Sequence, residues 1–376
     1  MRMVVADFLR WLESAKVAER AAAAAALSRA FISSDLPFED RCAAEAALTL
    51  LLDDPSSKVR AAMAEALSMS RLAPPQIVAA LASDQADVAA MIVARSPLLS
   101  DVDLIDRVAE GHGSTQRLIA RRSRVSMSLA ASIAEIGEEE ACLALLDNSG
   151  ADIAPLSLRR MAERFGHVGR VREALTHNER LPADSRHLLV TRVGEALLES
   201  PFIRGTIGAS FAEKVTRNAC IKAGLTLVER TSQAEYPALI EHIRLRGELS
   251  AGFLVRIIAH GKVDFFGAAL VALTGQAQTR VRSLLADGFD TALCALFGKA
   301  GLSRAIHSVI LCALKVWRAV ARGKRVAGAQ EVSWLMLGAI GGDKAQGELA
   351  SLLKSIHLDA LRANARGHAM AIAAAA

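Results

Sequence analysis

The sequence predicts an all-α protein, and three features of its 376 residues support that fold class. Alanine-rich runs such as ERAAAAAALSRA (19–30) recur, and alanine and leucine are among the strongest helix formers. Aromatic residues make up only 4% of the chain, and residues that favour strands are sparse. Apolar residues recur at helical spacing between short polar turns. The expected architecture is an α-solenoid of stacked antiparallel helix pairs.

The segment DDPSSKVRAAMAEAL (53–67) indicates how one unit is built. Asp54 is the expected N-cap, and Pro55 the expected first helical residue, where its missing N–H has no partner to lose. The apolar stripe of this helix is expected at Val59, Ala62, Met63, Ala66 and Leu67. Two such helices cannot cover their own apolar faces, so neighbouring pairs must stack.

The segment is repeated, although imperfectly. LDDPSSKVRAAM (52–63) aligns with LASDQADVAAMI (81–92) at a shift of 29 residues, which pairs Asp54 with Ser83. VARSPLLS recurs as IARRSRVS after a shift of 26 residues. Such drift in spacing is ordinary in helical arrays, where loops and helices vary in length.

The second half of the chain also predicts helix pairs. Ser250 is the expected N-cap of a helix that ends at Ala259. Gly288 and Gly298 are expected to end two later helices. The longest helical pattern covers residues 304–325.

Charge is distributed unevenly and suggests a division of the chain. Residues 1–200 carry 23 basic and 28 acidic groups, whereas residues 201–376 carry 22 and 12. We expect an N-terminal array that is net acidic and a C-terminal helical-repeat region that is net basic and continuous with the first. The boundary is expected at ESPFIRG, near residues 200–206, and a frayed tail at about 367–376.

The segment DDPSSKVRAAMAEAL resembles the HEAT-repeat pattern, in which Asp and Pro in a turn precede Val-Arg and an Ala/Leu-rich helix. The matching residues are Asp54, Pro55, Val59, Arg60, Ala64 and Leu67. The second copy departs from the pattern because Ala89 replaces the arginine, and the spacings are shorter than the roughly 40 residues of HEAT units.

The whole chain is similar to an uncharacterised family of helical-repeat proteins of alphaproteobacteria. The blocks that carry this similarity are VAAMIVARSPLLSDVDLIDRVAEG, IARRSRVS and GELSAGFLVRIIAHGKVDFFGAALVALTG. The resemblance implies an α-solenoid in the bacterial cytoplasm, and it brings no activity with it.

Composition and motifs exclude several classes of protein. The N-terminal apolar run is too short and too charged for a signal peptide, and no uncharged apolar stretch reaches the roughly 18 residues of a membrane span. The five cysteines are far apart and form no CxxC pair, which favours reduced residues in the cytoplasm. We found no catalytic constellation, metal-ligand spacing or cofactor motif, and we therefore expect neither an enzyme nor a cofactor.

Two basic clusters form the candidate interaction surface. The first contains Arg117, Arg121, Arg122 and Arg124. The second contains Lys315, Arg318, Arg322, Lys324 and Arg325, with the neighbouring Trp317 expected to face the core. Three interpretations are open for these residues. They form a solvated face, they contact an acidic protein surface, or they contact phosphates of a nucleic acid, where neutralisation releases counterions and adds affinity.

The sequence favours a non-enzymatic scaffold or regulatory adaptor that binds another protein on the concave face of the solenoid. The alternative is a nucleic-acid-binding protein whose groove resembles that of the HEAT-like DNA glycosylases. The acidic first half and the scarcity of aromatic residues for base stacking weigh against that alternative. The sequence does not indicate an oligomeric state.

Overall fold

The computed structural model describes residues 10, 11, 14–340 and 347–375. Most of the N-terminal segment that argues against a signal peptide lies outside these residues. The described chain is all-helical and contains no strand, which confirms the predicted fold class. Within the described ranges, no helix is both long and apolar enough to cross a membrane.

Twenty-two helices cover most of the described residues. The first eleven are α1 (Val17–Ser33), α2 (Phe38–Leu51), α3 (Ser57–Leu67), α4 (Pro75–Ala82), α5 (Ala86–Arg95), α6 (Asp101–Glu110), α7 (Gly113–Ala120), α8 (Met127–Ile136), α9 (Glu139–Leu146), α10 (Pro155–Phe165) and α11 (Gly169–His177). The others are α12 (Ala183–Glu199), α13 (Pro201–Ile207), α14 (Ala209–Arg230), α15 (Tyr236–Leu245), α16 (Ala251–Ala259), α17 (Val263–Thr274), α18 (Gln278–Asp287), α19 (Asp290–Lys299), α20 (Arg304–Ala321), α21 (Ala329–Gly338) and α22 (Glu348–Ala375).

The chain forms two compact units, unit 1 (Met1–Leu181) and unit 2 (Pro182–Ala376). This division falls between α11 and α12, about twenty residues before the boundary expected from the charge distribution. The region of the expected frayed tail is helical as far as Ala375, and its described side chains are exposed.

Unit 1 consists of helices that contact their second neighbours along the chain. Helices α1, α3, α5, α7, α9 and α11 form one row in which each contacts the next, and α6, α8 and α10 form another. Sequential helices such as α1 and α2 or α10 and α11 are also in contact. Fully buried Met63, Leu67, Ile77 and Leu81 lie in the core between them, because short amphipathic helices bury their apolar stripes only against neighbours.

Bidentate ion pairs connect successive helices of the first row. Arg20 of α1 donates from Nε and Nη2 to the two carboxylate oxygens of Asp54, at 2.8 and 3.1 Å. Arg60 of α3 binds Asp84 in the same way, at 2.5 and 2.9 Å. The structural equivalent of Asp54 is therefore Asp84, one residue beyond the Ser83 that the sequence alignment selects.

The start of α3 differs from the prediction. The helix begins at Ser57 with Ser56 as N-cap, so Pro55 precedes the helix instead of opening it. The Asp54 carboxylate accepts the Ser56 N–H at 2.8 Å and also binds Arg20, which holds it in the turn before the helix. The expected burial of the stripe is confirmed at the three large residues, Val59, Met63 and Leu67.

We expect Asp84 to make unit 1 sensitive to acid. The hydrogen bonds from Arg60 hold the pKa of Asp84 below its usual value of 3.8, although partial burial opposes this effect. A lowered pKa in the folded state stabilises the protein fully above the pKa of the unfolded state, and this contribution is lost as the pH falls through the folded pKa. The urea midpoint of unit 1 should therefore fall steeply below about pH 4.

The matched test compares Asp84→Asn with Asp53→Asn, a substitution in the same kind of turn at an exposed carboxylate. Asp84→Asn should lower the midpoint at pH 5 and flatten its further decrease between pH 5 and pH 3. Asp53→Asn should retain the wild-type slope. Equal slopes in wild type and Asp84→Asn would contradict the assignment.

Unit 2 is organised around one buried helix. Residues 253–259 of α16 are all buried, and α16 contacts α14, α17, α20, α21 and α22. A helix with apolar residues on every side is stable only when other helices surround it. Its Arg256 is only 7% exposed and reaches α22, where it donates to Ser355 Oγ at 3.3 Å and lies 3.8 Å from Asp359.

The sequence predicts the local boundaries of several helices in this unit. Ser250 Oγ accepts the Phe253 N–H at 3.2 Å, which confirms the expected N-cap of α16, and α16 ends at Ala259. The expected longest helix, α20, ends at Ala321 after 18 residues. It is shorter than α14, with 22 residues, and α22, with 28.

Candidate functional site

A surface groove in unit 2 is a concave site with an apolar floor. It lies between α15, α17, α18 and α20 and has a volume of about 800 Å³. The floor consists of buried apolar side chains, Ile240, Val281, Leu285 and Leu314. Many of the other lining residues are exposed, so the site is an open groove and not an enclosed cavity.

Small residues create the space in this groove. Gly267, Ala268 and Ala272 line it from α17, and Ala286 and Ala321 line it from α18 and α20. A Cβ on Gly267 would lie 3.0 Å from Leu285 Cδ1, so α17 and α18 approach closely beneath the groove. The groove therefore exists because small side chains line it, and larger side chains at these positions would fill its volume.

Polar groups at one end of the groove form a connected network. Gln233 Nε2 donates to Asp264 Oδ2 at 3.0 Å, and Arg282 Nη2 donates to Gln233 Oε1 at 3.1 Å. Tyr236 packs edge-on against Phe265, with 5.1 Å between the ring centres. Burial, together with the negative charge of Asp264, raises the pKa of the Tyr236 hydroxyl.

Arg282 supplies a positive charge at this end. Its guanidinium is exposed, and its hydrogen-bond partner, Gln233, is a neutral amide. Among the described residues, no carboxylate forms an ion pair with Arg282. The groove thus combines an apolar floor with an accessible cation at its edge.

The second basic cluster borders the other end of the groove. Arg318 and Arg322 line it, and together with Lys315 and Lys324 they line a shallower adjoining pocket. Lys315 Nζ lies 2.7 Å from Asp290, and Arg322 forms an ion pair with Asp287. The structure therefore brings these four predicted residues together at one site.

Two members of the second cluster have other roles or positions. Arg318 donates three hydrogen bonds to backbone carbonyls at the end of α18, to Leu284 and Leu285 at 2.7 Å each and to Gly288 at 3.1 Å. This guanidinium therefore caps a helix end. Arg325 forms an ion pair with Glu331 and does not line either pocket.

The first basic cluster lies in unit 1, and its members also differ. Arg117, Arg121 and Arg124 are exposed. Arg122 is half-buried and donates to the backbone carbonyls of Val93 and of Ser96, the latter at 2.6 Å. Burial lowers the pKa of Arg122. Arg122 thus caps the end of α5, while the other three arginines remain accessible.

Trp317 has a packing role, as expected from its place beside the second cluster. Its Nε1–H donates to the Ile258 carbonyl at 2.7 Å, at the end of α16, and its ring forms part of the groove wall. The sequence did not predict the residues of α15, α17 and α18 that form the rest of the groove. The small residues of α17 in an otherwise bulky helix are the one sequence feature that points to them.

The described residues contain no group of three His, Cys, Asp or Glu side chains placed to hold a metal ion. The groove offers apolar surface and charge, and it has no nucleophile hydrogen-bonded to a base among its described lining residues. Its geometry suits binding by shape and charge.

Comparison with protein families matches residues 88–350 to the family described as "Uncharacterised protein conserved in bacteria (DUF2336)". The match begins in unit 1 and covers most of unit 2. No curated protein and no solved structure matches the chain. Because the matched segment exceeds two thirds of the sequence, the chain belongs to the DUF2336 family of uncharacterised bacterial proteins.

Proposed function

We propose that this protein is a non-enzymatic adaptor that binds an amphipathic helix of a partner protein in the unit 2 groove. The observation that carries the proposal is an open apolar groove of about 800 Å³ with a cation at its edge. A helix with a diameter of about 10 Å and a pitch of 5.4 Å occupies roughly 400 Å³ per turn. The groove therefore has the volume of about two helical turns.

The chemistry of the groove defines the segment that fits it. Its floor accepts two or three apolar side chains at i, i+3 and i+4 spacing, as in other helix-in-groove complexes. Arg282 lacks a carboxylate partner in the described structure, so an acidic side chain beside the apolar stripe would complement it. The partner segment is thus an amphipathic helix with a flanking Asp or Glu.

Unit 1 suits the role of a repetitive scaffold, and we interpret it as an α-solenoid of HEAT type. The alternating contacts between helices support this interpretation, as does the recurring pair of Arg20 with Asp54 and Arg60 with Asp84. The same spacing recurs farther along, where Asn148 donates to the Ala120 carbonyl at 2.8 Å and Arg164 to the Ala134 carbonyl at 2.7 Å. Contacts between residues about 25 to 35 positions apart are typical of stacked repeats.

The charge pattern beside the unit 2 groove favours a protein partner over nucleic acid at this site. Phosphate binding requires accessible cations, because affinity arises from the release of counterions. In the second cluster, acidic side chains neutralise Lys315 and Arg322, and Arg318 donates its hydrogen bonds to backbone carbonyls.

The five cysteines form no disulfide, which supports a reducing compartment such as the cytoplasm.

The proposal is tested by blocking the groove and by reversing the charge at its edge. Ala272→Trp adds a large side chain at an exposed lining position, and Arg282→Glu inverts the accessible charge. Each change should weaken capture of the partner from bacterial lysate by about 30-fold, the effect of losing one interface hot spot of about 2 kcal/mol. The measurement is quantitative affinity capture followed by mass spectrometry.

Two control variants have the same chemistry outside the groove. Ser283→Trp and Arg280→Glu lie at exposed positions of α18 that do not line it. They should capture the same partner as the wild type. If the two groove variants capture the partner as well as the two control variants do, the groove is rejected as the binding site.

A further inference from the structure

Helices α12 and α14 of unit 2 form an antiparallel hairpin joined by α13. A Cβ on Gly194 would lie 2.7 Å from Cys220 Sγ and 3.3 Å from Thr216 Cγ2, so this part of α12 meets the middle of α14. Earlier in α12, His187 Nε2 lies 3.7 Å from the Cβ position of Gly224, which is later in α14. The order of contacts is reversed between the two helices, as an antiparallel pair requires.

The hairpin and the short helix that joins it carry six exposed hydrophobic residues. They are Val193, Leu197, Phe202, Ile207, Phe211 and Val215, which we call the hairpin face. Gly194 and Thr216 are the residues at the contact between the two helices. Val193 directly precedes Gly194, and Val215 directly precedes Thr216. A residue one position before a contact residue is rotated by about 100° around its helix axis. Because the two helices run in opposite directions and face each other, both rotations turn the side chain toward the same side of the hairpin. Val193 and Val215 therefore lie on one common side of the hairpin.

The hairpin face is large for a surface that stays in water. Phe202 is 79% exposed and Phe211 is 59% exposed, and the other four residues are between 39% and 45% exposed. With full side-chain areas of about 150 to 220 Å², the six residues expose roughly 600 Å². Apolar patches of this size are at the upper end for monomers, and a stable interface buries about 800 Å² per partner. The six residues thus supply about three quarters of the area that one partner of a stable interface buries.

Charge around the hairpin face is mixed, in contrast to the basic second half of the chain. Residues 192–217 contain four basic and three acidic side chains. Arg192 pairs with Glu195 at 2.9 Å, and Arg217 pairs with Glu213 at 2.6 Å, so both signs are present on each helix. A surface with nearly equal numbers of basic and acidic side chains does not favour nucleic acid or an anionic surface as partner. It allows two copies of the same surface to pack together without net electrostatic repulsion.

We propose that two copies of this chain associate through the hairpin face. In a two-fold dimer the same patch is used by both copies, and two helical hairpins packed face to face form a four-helix arrangement. No residue of the hairpin face lines the groove. The occupant of the hairpin face is therefore a second copy of the same chain.

The test is the molar mass of the full chain, measured by light scattering or sedimentation between about 1 μM and about 200 μM. The wild type should approach twice the 39.8 kDa of one chain at high concentration and dissociate on dilution. A double variant, Phe211→Glu with Val215→Glu, places like charges in the interface and should raise the dissociation constant at least 100-fold. Circular dichroism and the urea midpoint of each variant establish that it is folded.

Phe289→Glu is the matched control, because Phe289 is 83% exposed in the same unit but lies outside the hairpin face. This variant should dimerise like the wild type. A wild-type mass of 39.8 kDa throughout the concentration range would overturn the proposal. A folded double variant that dimerises as tightly as the wild type would also overturn it.

Discussion

Replacement of Arg318 by alanine should lower the free energy of unfolding of unit 2 by about 3 kcal/mol. Its guanidinium donates to the carbonyls of Leu285 and Gly288 at the end of α18, and it shares the Leu284 carbonyl with the Gly288 N–H. Hydrogen bonds from a charged donor contribute about 1.5 to 3 kcal/mol each, and their sum is reduced because the three act as a unit. Alanine would also leave the carbonyls of Leu285 and Gly288 without this donor.

Lys315→Ala is the control for this prediction, since Lys315 lies one turn earlier on the same helix. Its ion pair with Asp290 is exposed, with 62% of the lysine side chain accessible, and should contribute less than about 1 kcal/mol. Urea unfolding followed by the fluorescence of Trp317 and Trp334, both in unit 2, measures the two changes. Equal effects of Arg318→Ala and Lys315→Ala would contradict a capping role for Arg318.

Periodicity and cap residues made the local structure predictable. The apolar stripe of α3 is buried as expected at Val59 and Met63, because a short helix has only one way to hide such a stripe. Ser250 begins α16 as an N-cap, and Gly288 directly follows the end of α18 at Asp287. These features depend on residues that are close in sequence, so the sequence alone contains the information.

The roles of the arginines were less predictable because they depend on distant residues. Arg122 and Arg318 appear in basic clusters, yet each donates to carbonyls 26 to 34 positions earlier. A spacing pattern shows that arginines are neighbours on a helix, and it does not show which helix end they face. The same limit explains the alignment error at Ser83, because only the bond from Arg60 identifies Asp84 as the repeated position.

The groove and the hairpin α12–α14 were not predicted for a different reason. In α14 the apolar residues are scattered around the helix and give no clear amphipathic stripe, so its 22 residues had no recognisable pattern. The groove is assembled from four helices, and each contributes small or partly exposed residues that are unremarkable in sequence. Such sites become visible only when tertiary packing places the helices side by side.

Acidification from pH 7 to pH 4 should destabilise unit 2 through the buried His187 of α12. This side chain is 5% exposed, and its Nδ1 has no hydrogen-bond partner among the described residues. Burial, together with smaller effects of the neighbouring His242 and Arg246, lowers the pKa of His187 to about 4, although Glu248 opposes the shift. Its Nε2 lies 3.4 Å from Glu248, so at neutral pH the contact joins a neutral imidazole to a carboxylate.

The sign of the effect follows from the difference between the folded and unfolded states. Below its ordinary pKa of about 6.5, His187 binds a proton in the unfolded chain but remains neutral in the folded chain until about pH 4. The unfolded state therefore gains stability as the pH falls through this window. A difference of this size corresponds to a loss on the order of 3 kcal/mol between pH 7 and pH 4.

His187→Gln removes the titrating group and retains a polar side chain of similar length. It should flatten the decrease of the urea midpoint of unit 2 between pH 7 and pH 4, whatever its effect at pH 7. His368→Gln, at an exposed histidine of α22 in the same unit, should leave the pH dependence unchanged. A titration of the His187 ring by NMR gives the pKa directly. A value near 6.5 in the folded protein would refute the prediction. A histidine with the same pKa in the folded and unfolded states contributes no pH dependence to unfolding.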